Sequence, residues 1–188
     1  MTDPKSPDSD VRDHYAGLTQ EYVDQYDPAK LEDYHEYPAA YFRLEILKRR
    51  LAETAAKRIL DAGVGAGLPA VTLARHLDTR DIVAFDLTPE MIAVAKANFA
   101  HAGLDPEQVL LGDLGSPETI ERAAAEGPFD AVLLLGIMPH VEDDLEVLKN
   151  IRSCLKPGGR AYASFRNKLF SMFTANRYSH DFVLEELL

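Results

Sequence analysis

Residues 59–77 read ILDAGVGAGLPAVTLARHL, which sets Asp61, Gly63, Gly65 and Gly67 at alternate positions between an apolar run and a stretch with helical spacing. Glycine carries no side chain to hold a ligand off the backbone and accepts positive φ, so this turn is built to be approached. Asp86 lies 23 positions after Gly63 and ends the next apolar run, DIVAFD. A carboxylate at a strand end can accept hydrogen bonds from two hydroxyls of a sugar. Asp113 ends a third run, QVLLGD, Gly136 ends a fourth, FDAVLLLG, and His140 comes just past it. An imidazole there titrates near neutral pH and suits removal of a proton from a hydroxyl, an amine or an acid. His14, His35, His76, His101 and His180 are scattered without ligand spacing, so no metal site is expected.

These residues need a frame, and the chain alternates strand-like and helix-like segments from residue 57 onward. KRILDAG (57–63), DIVAFD (81–86), QVLLGD (108–113), FDAVLLLG (129–136) and RAYASF (160–165) read as strands. Between them lie helices at 68–77, 88–103, 116–127 and 141–155, with KPGG (156–159) ending the last. Thr88 and Ser116 stand as N-caps, each followed by proline at the first helical position. The spacing predicts Ile92, Ala95 and Phe99 on one buried stripe and Val141, Leu145, Leu148, Ile151 and Leu155 on another. Alternation with short connections predicts a doubly wound α/β fold with a mainly parallel sheet, whose ligand lies at the carboxyl ends of the strands.

The order LDAGVGAG, VAFDLTPEM, LLGDL and LLLGIMPHVED…LKPGG, spread over residues 57–165, resembles the class I, Rossmann-like S-adenosylmethionine-dependent methyltransferases. The resemblance implies strand order 3-2-1-4-5. It also implies that the glycine loop packs on the methionine part of the cofactor, with the ammonium group held near Asp61. Asp86 then binds the ribose, Leu87 and Met91 line the adenine, and Asp113 or the Leu114 amide contacts the adenine edge. Gly136 lies beside the sulfur, where its carbonyl can bind the ammonium. The third glycine of D-x-G-x-G-x-G comes one position too early for the dinucleotide pattern G-x-G-x-x-G, which leaves a nicotinamide-dependent oxidoreductase as a second reading. A non-catalytic cofactor-binding subunit or fragment is a third.

Residues 1–13 are polar, with Pro4 and Pro7, and read as a disordered tail; residues 14–55 read as an N-terminal helical cap, and 56–188 as the cofactor-binding core. The cap holds Tyr15, Tyr22, Tyr26, Tyr34, Tyr37 and Tyr41, six of the eight tyrosines. HYAGLTQEY resembles the paired-tyrosine helix of the family's lid, which implies Tyr15 at the cofactor and Tyr22 at the substrate. Arg43 is a candidate for the cofactor carboxylate or for an acidic substrate. His140 is the candidate catalytic base. The segment after strand 5 is shorter than the family's closing helix and antiparallel hairpin, so the core is expected to be C-terminally truncated, with a helix from Ser179 and a sheet edge that favours a homodimer.

The net charge of −11 disfavours a polyanionic partner, and LKRR (47–50) reads as a solvated helix end. The segment after strand 4, GIMPH, lacks the Asn/Asp-Pro-Pro-aromatic run of family members that methylate amide or exocyclic nitrogens. A small-molecule acceptor, methylated on oxygen or nitrogen with S-adenosylhomocysteine as the second product, is the expectation. With 188 residues, one cysteine, no apolar span of membrane length and no apolar signal region, the chain is expected to be a cytoplasmic, soluble single domain without membrane association.

Overall fold

The computed structural model describes residues 38–141 and 143–165. Five parallel strands, β1 (Ile59–Ala62), β2 (Ile82–Asp86), β3 (Val109–Leu111), β4 (Phe129–Leu134) and β5 (Leu155–Ala163), stand in the order β3-β2-β1-β4-β5. Helix α1 (Pro38–Glu53) precedes them, and α2 (Leu68–Leu77), α3 (Pro89–His101), α4 (Pro117–Glu126) and α5 (Asp144–Cys154) connect them. The doubly wound architecture and the strand order both agree with expectation.

Side chains alternate across a strand, so a central strand feeds two cores. Ile59 of β1 and Ile82 and Ala84 of β2 pack with Leu44, Leu47 and Leu51 of α1, Leu73 and Leu77 of α2, and Phe99 of α3. Leu60, Ala62, Val83 and Phe85 pack on the other face with Ile120 and Ala123 of α4 and Val147, Ile151 and Cys154 of α5. All four residues of β1 are buried, Asp61 included. Alternation puts Asp61 on the same face as Ile59, toward α1.

Helix α2 runs as predicted, and the stripe Ile92, Ala95 and Phe99 is buried. Three details differ from the sequence reading. Helix α5 begins at Asp144 because Asp143 caps it, its carboxylate accepting from the Leu145 and Glu146 amides. The buried stripe of α5 is Val147, Ile151 and Cys154, while Leu145 and Leu148 are 62% and 37% exposed. Lys156–Gly159 do not form a separate helix stop. They lie inside β5, where Leu155 already pairs with Phe129 and the next partners are Arg160 and Ala131. The four residues between stand against Asp130 alone, and Gly158 at φ 81 lets the strand bulge there.

Asp130 ties this irregularity together. Its Oδ2 accepts from the amides of Lys57 (3.0 Å) and Arg58 (2.9 Å), and its Oδ1 pairs with Lys156. Burial alone raises its pKa, but Lys156 and the two amides outweigh burial and hold the carboxyl below its usual value. A depressed carboxyl stabilises above its unfolded pKa, and that contribution is lost as the pH falls through the folded value. Asp130→Ala is expected to cost about 2 kcal/mol in urea unfolding at neutral pH. The deficit should shrink in acid; a midpoint equal to the parent's at neutral pH would show that water replaces these bonds without loss.

Residues 1–37 and 166–188 lie outside the described residues, and with them the expected tail, Tyr15, Tyr22, Tyr26, Tyr34 and Tyr37 of the cap, and the helix expected from Ser179. The last part of the expected cap, α1, is built into the core through Ala40, Leu44, Leu47 and Leu51. Among the described residues no helix is long and apolar enough to cross a membrane.

Candidate functional site

Asp61 is 2% exposed, and its Oδ1 has no hydrogen-bond partner. Burial pushes its pKa up to about 7; the nearby Asp86 charge adds to the rise and the Arg43 charge opposes it. A buried carboxyl with an orphaned oxygen beside a second carboxyl is an arrangement that packing alone does not favour, and such groups concentrate at functional sites.

Past β1 the chain turns through three glycines in the left-handed region, Gly63 (φ 83), Gly65 (φ 53) and Gly67 (φ 80). The amides of Gly63 and Val64 both donate to the Phe85 carbonyl, at 2.8 and 3.0 Å, which ties the turn to β2. Two of the glycines answer to packing. A Cβ on Gly63 would overlap the Ile137 side chain, and one on Gly67 would press at 3.2 Å on Ala95 and on the Phe99 ring of α3. A Cβ on Gly65 would meet nothing within 4 Å, so this glycine faces open space. From α3, Asn98 donates to the Ala66 carbonyl at 2.8 Å and pins the loop.

Asp86 closes the other side of the turn. Its Oδ2 accepts from the Gly65 amide at 2.8 Å and its Oδ1 from the Thr88 amide at 2.9 Å. Burial raises its pKa, and hydrogen bonds from the amides of Thr88, Gly65 and Leu87 and from the Thr88 side chain oppose the rise. Thr88 does occupy the N-cap position of α3, but its side chain makes no cap hydrogen bond because it serves Asp86 instead. Leu87 is half-buried, and Met91 is 2% exposed within the interior, presenting no open surface.

At the end of β3, the Asp113 amide donates to Thr119 Oγ1, and Asp113 Oδ1 accepts from the Gly115 amide at 2.8 Å. The carboxylate thus braces the turn into α4, with Leu114 half-buried against the core on that side. Strand β4 ends at Leu134, two residues before Gly136, where φ is 76 and the chain turns over the glycine loop. Arg43 Nη1 of α1 lies 3.6 Å from the position a Cβ on Gly136 would take. His140 is not at a helix start. It ends the 3₁₀ turn Met138–His140, exposed, with its amide donating to the Ile137 carbonyl at 2.9 Å, and α5 begins four residues later.

The fold therefore brings Asp61, Gly63, Gly65, Gly67, Asp86, Gly136 and Arg43 together at the carboxyl ends of β1, β2 and β4, with Asp113 and Leu114 at the end of β3 beside them. Arg43, a candidate for either the cofactor carboxylate or an acidic substrate, comes to Asp61 and Gly136. Sequence reasoning missed the side chains that hold the site: Thr88, Asn98, Ile137 and Ser164. Thr88 lies just past the carboxyl end of β2, a position that could have flagged it.

A family model described as a methyltransferase domain matches residues 59–159, from the first residue of β1 to Gly159 in β5. The chain belongs to the S-adenosylmethionine-dependent methyltransferase family. It is 34% identical over 133 residues to a ubiquinone biosynthesis O-methyltransferase of Xanthomonas axonopodis pv. citri, covering 70% of this chain and 52% of that protein. It is 31% identical over 163 residues to the enzyme of the same name from Xylella fastidiosa strain M23, covering 86% and 61%. The chain thus spans 52–61% of the length of these relatives. A solved S-adenosylmethionine dependent methyltransferase from Mesorhizobium loti shares the fold at a TM-score of 0.54 and 22% identity, over 70% of this chain and 55% of that one. The methyltransferase cradle fits the family's cofactor on two structural grounds: the orphaned Asp61 oxygen calls for a donor or a cation, and Gly65 leaves the backbone open where a ligand would approach.

Proposed function

We propose that this methyltransferase chain moves a methyl group from S-adenosylmethionine to an oxygen of a small-molecule acceptor. The observation that carries the reading is the buried Asp61, whose Oδ1 has no hydrogen-bond partner, beside a glycine turn whose middle amide is held by Asp86. The names of these two relatives, both O-methyltransferases, support oxygen over nitrogen.

When bound, the cofactor supplies a methyl group already activated by its sulfonium, so alignment does most of the work. Asp61 pairs with the ammonium of its amino-acid end, and Arg43 with the carboxylate of that end. Asp86 keeps lone pairs for the ribose hydroxyls, since each carboxylate oxygen can accept twice. Asp113 and the Leu114 amide meet the adenine edge, and Leu87 its face. The Gly136 carbonyl would accept from the same ammonium group. His140, exposed at the end of the turn after β4, takes the acceptor's proton. Tyr15 and Tyr22, which lie outside the described residues, are the proposed cofactor and substrate contacts.

Calorimetry with S-adenosylmethionine and S-adenosylhomocysteine, followed by methyl transfer to a panel of phenols and catechols, tests this reading. Binding of both, with turnover reduced at least about tenfold in His140→Ala while cofactor affinity holds, is the outcome expected. Binding without turnover on any acceptor would move the chain to the non-catalytic reading. Binding of NADH in place of either compound would return it to the oxidoreductase reading.

A further inference from the structure

The turn that carries Gly136, Ile137 and His140 is anchored from outside, by β5. The last β4–β5 pair is Leu134 with Ala163. One residue further, the Ser164 amide donates to the Leu134 carbonyl at 3.1 Å, and Ser164 Oγ accepts from the Gly136 amide at 2.7 Å. The residue therefore grips the end of β4 at two points, one by backbone and one by side chain. The second grip falls on a glycine at φ 76, where no strand ladder can continue and the amide needs another acceptor.

The path of the chain beyond Gly136 depends on that grip. Ile137 packs so closely on Gly63 that a Cβ there would overlap it, and the amide of His140 closes the 3₁₀ turn on the Ile137 carbonyl. The guanidinium of Arg43 lies against Gly136 itself. A shift of Gly136 would thus move the wall over the glycine loop, the partner face of Arg43 and the base of the His140 turn together.

We propose that Ser164 is a positioning residue for methyl transfer: its hydroxyl, by holding the Gly136 amide, sets the Leu135–His140 turn against the glycine loop in the geometry that binds the cofactor. The inference rests on the proposed methyl-transfer function. Alanine at 164 removes the acceptor and leaves the backbone grip, whereas threonine keeps both.

The test compares the parent, Ser164→Ala and Ser164→Thr in S-adenosylhomocysteine affinity and in the amide shift of Gly136 in a ¹⁵N spectrum of the full chain. Ser164→Ala should bind about tenfold more weakly, with the Gly136 amide proton moving upfield as its hydrogen bond is lost. Ser164→Thr should return both to near the parent's values, a rescue that a general packing role would not produce. Alanine binding as tightly as the parent, or threonine failing to restore the shift and the affinity together, would overturn the proposal. A parent that binds neither cofactor nor product overturns the functional reading and this proposal with it, an outcome recognisable because all three proteins would then be silent.

Discussion

Replacing Asp86 with alanine will weaken S-adenosylhomocysteine binding by at least about a hundredfold, and asparagine will do nearly as badly. The reason lies in what each carboxylate oxygen already does. Oδ2 holds the Gly65 amide and Oδ1 the Thr88 amide, so both positions face N–H donors. An asparagine offers one carbonyl oxygen and one NH2, and the NH2 must face one of those donors. Either the Gly65 amide loses its acceptor or the Thr88 amide at the start of α3 does. The ribose hydroxyls lose an acceptor in both cases. Calorimetry on the parent, Asp86→Ala and Asp86→Asn decides it. An asparagine variant binding within a few-fold of the parent would show that one acceptor suffices and that the two-sided clamp is not needed.

Thermal unfolding of the same three proteins separates the clamp from simple loss of fold. Burial raises the pKa of Asp86, so its charge is costly to keep, and its removal offsets part of the loss of two hydrogen bonds. Stability should therefore change much less than affinity.

The ligand side of this fold was legible from the sequence because its signals are local. D-x-G-x-G-x-G marks a turn after a strand, and Asp86 marks the end of the next. Parallel register then brings the two together, with Asp61 level with Ala84 and Ala62 with Phe85. Helix limits were legible where a cap and a proline coincide, as at Ser116 and Pro117, where the serine hydroxyl accepts from the Thr119 amide. They were not legible at His140, because the Asp143 cap that delays α5 competes with an apolar spacing that starts earlier. The same spacing misassigned Leu145 and Leu148, since a helix at the side of a sheet buries a narrower stripe than its apolar residues suggest. Ser164 and Asn98 were invisible for a different reason. Each meets its partner across 28 or 32 residues of chain, through pairings that only the assembled sheet and helix layer create.

Asp61 will give the protein a pH dependence opposite in sign to that of Asp130. Its pKa, about 7 in the folded chain, lies above the value of 3.8 for an unhindered aspartate, so between those limits the native state holds a proton that the unfolded state has released. Stability contributed by Asp61 is complete below the unfolded value, falls as the pH rises toward the folded one and is flat beyond it. The full difference is on the order of 4 kcal/mol for a group so thoroughly buried. Asp61→Asn removes the titration. Urea midpoints of the variant and the parent should therefore diverge steadily from pH 5 to about pH 7, the variant becoming the more stable, and run parallel above. Curves parallel throughout would show that Asp61 stays ionised in the native state, held by Arg43 more strongly than burial opposes it. Ligand binding reads the same proton from the other side. An ammonium group placed at the orphaned oxygen favours the carboxylate, so cofactor affinity in the parent should rise with pH over that interval and proton release should accompany binding. The asparagine variant should bind more weakly and show neither effect, because the charge that makes Asp61 costly to bury is the charge that a cationic ligand repays.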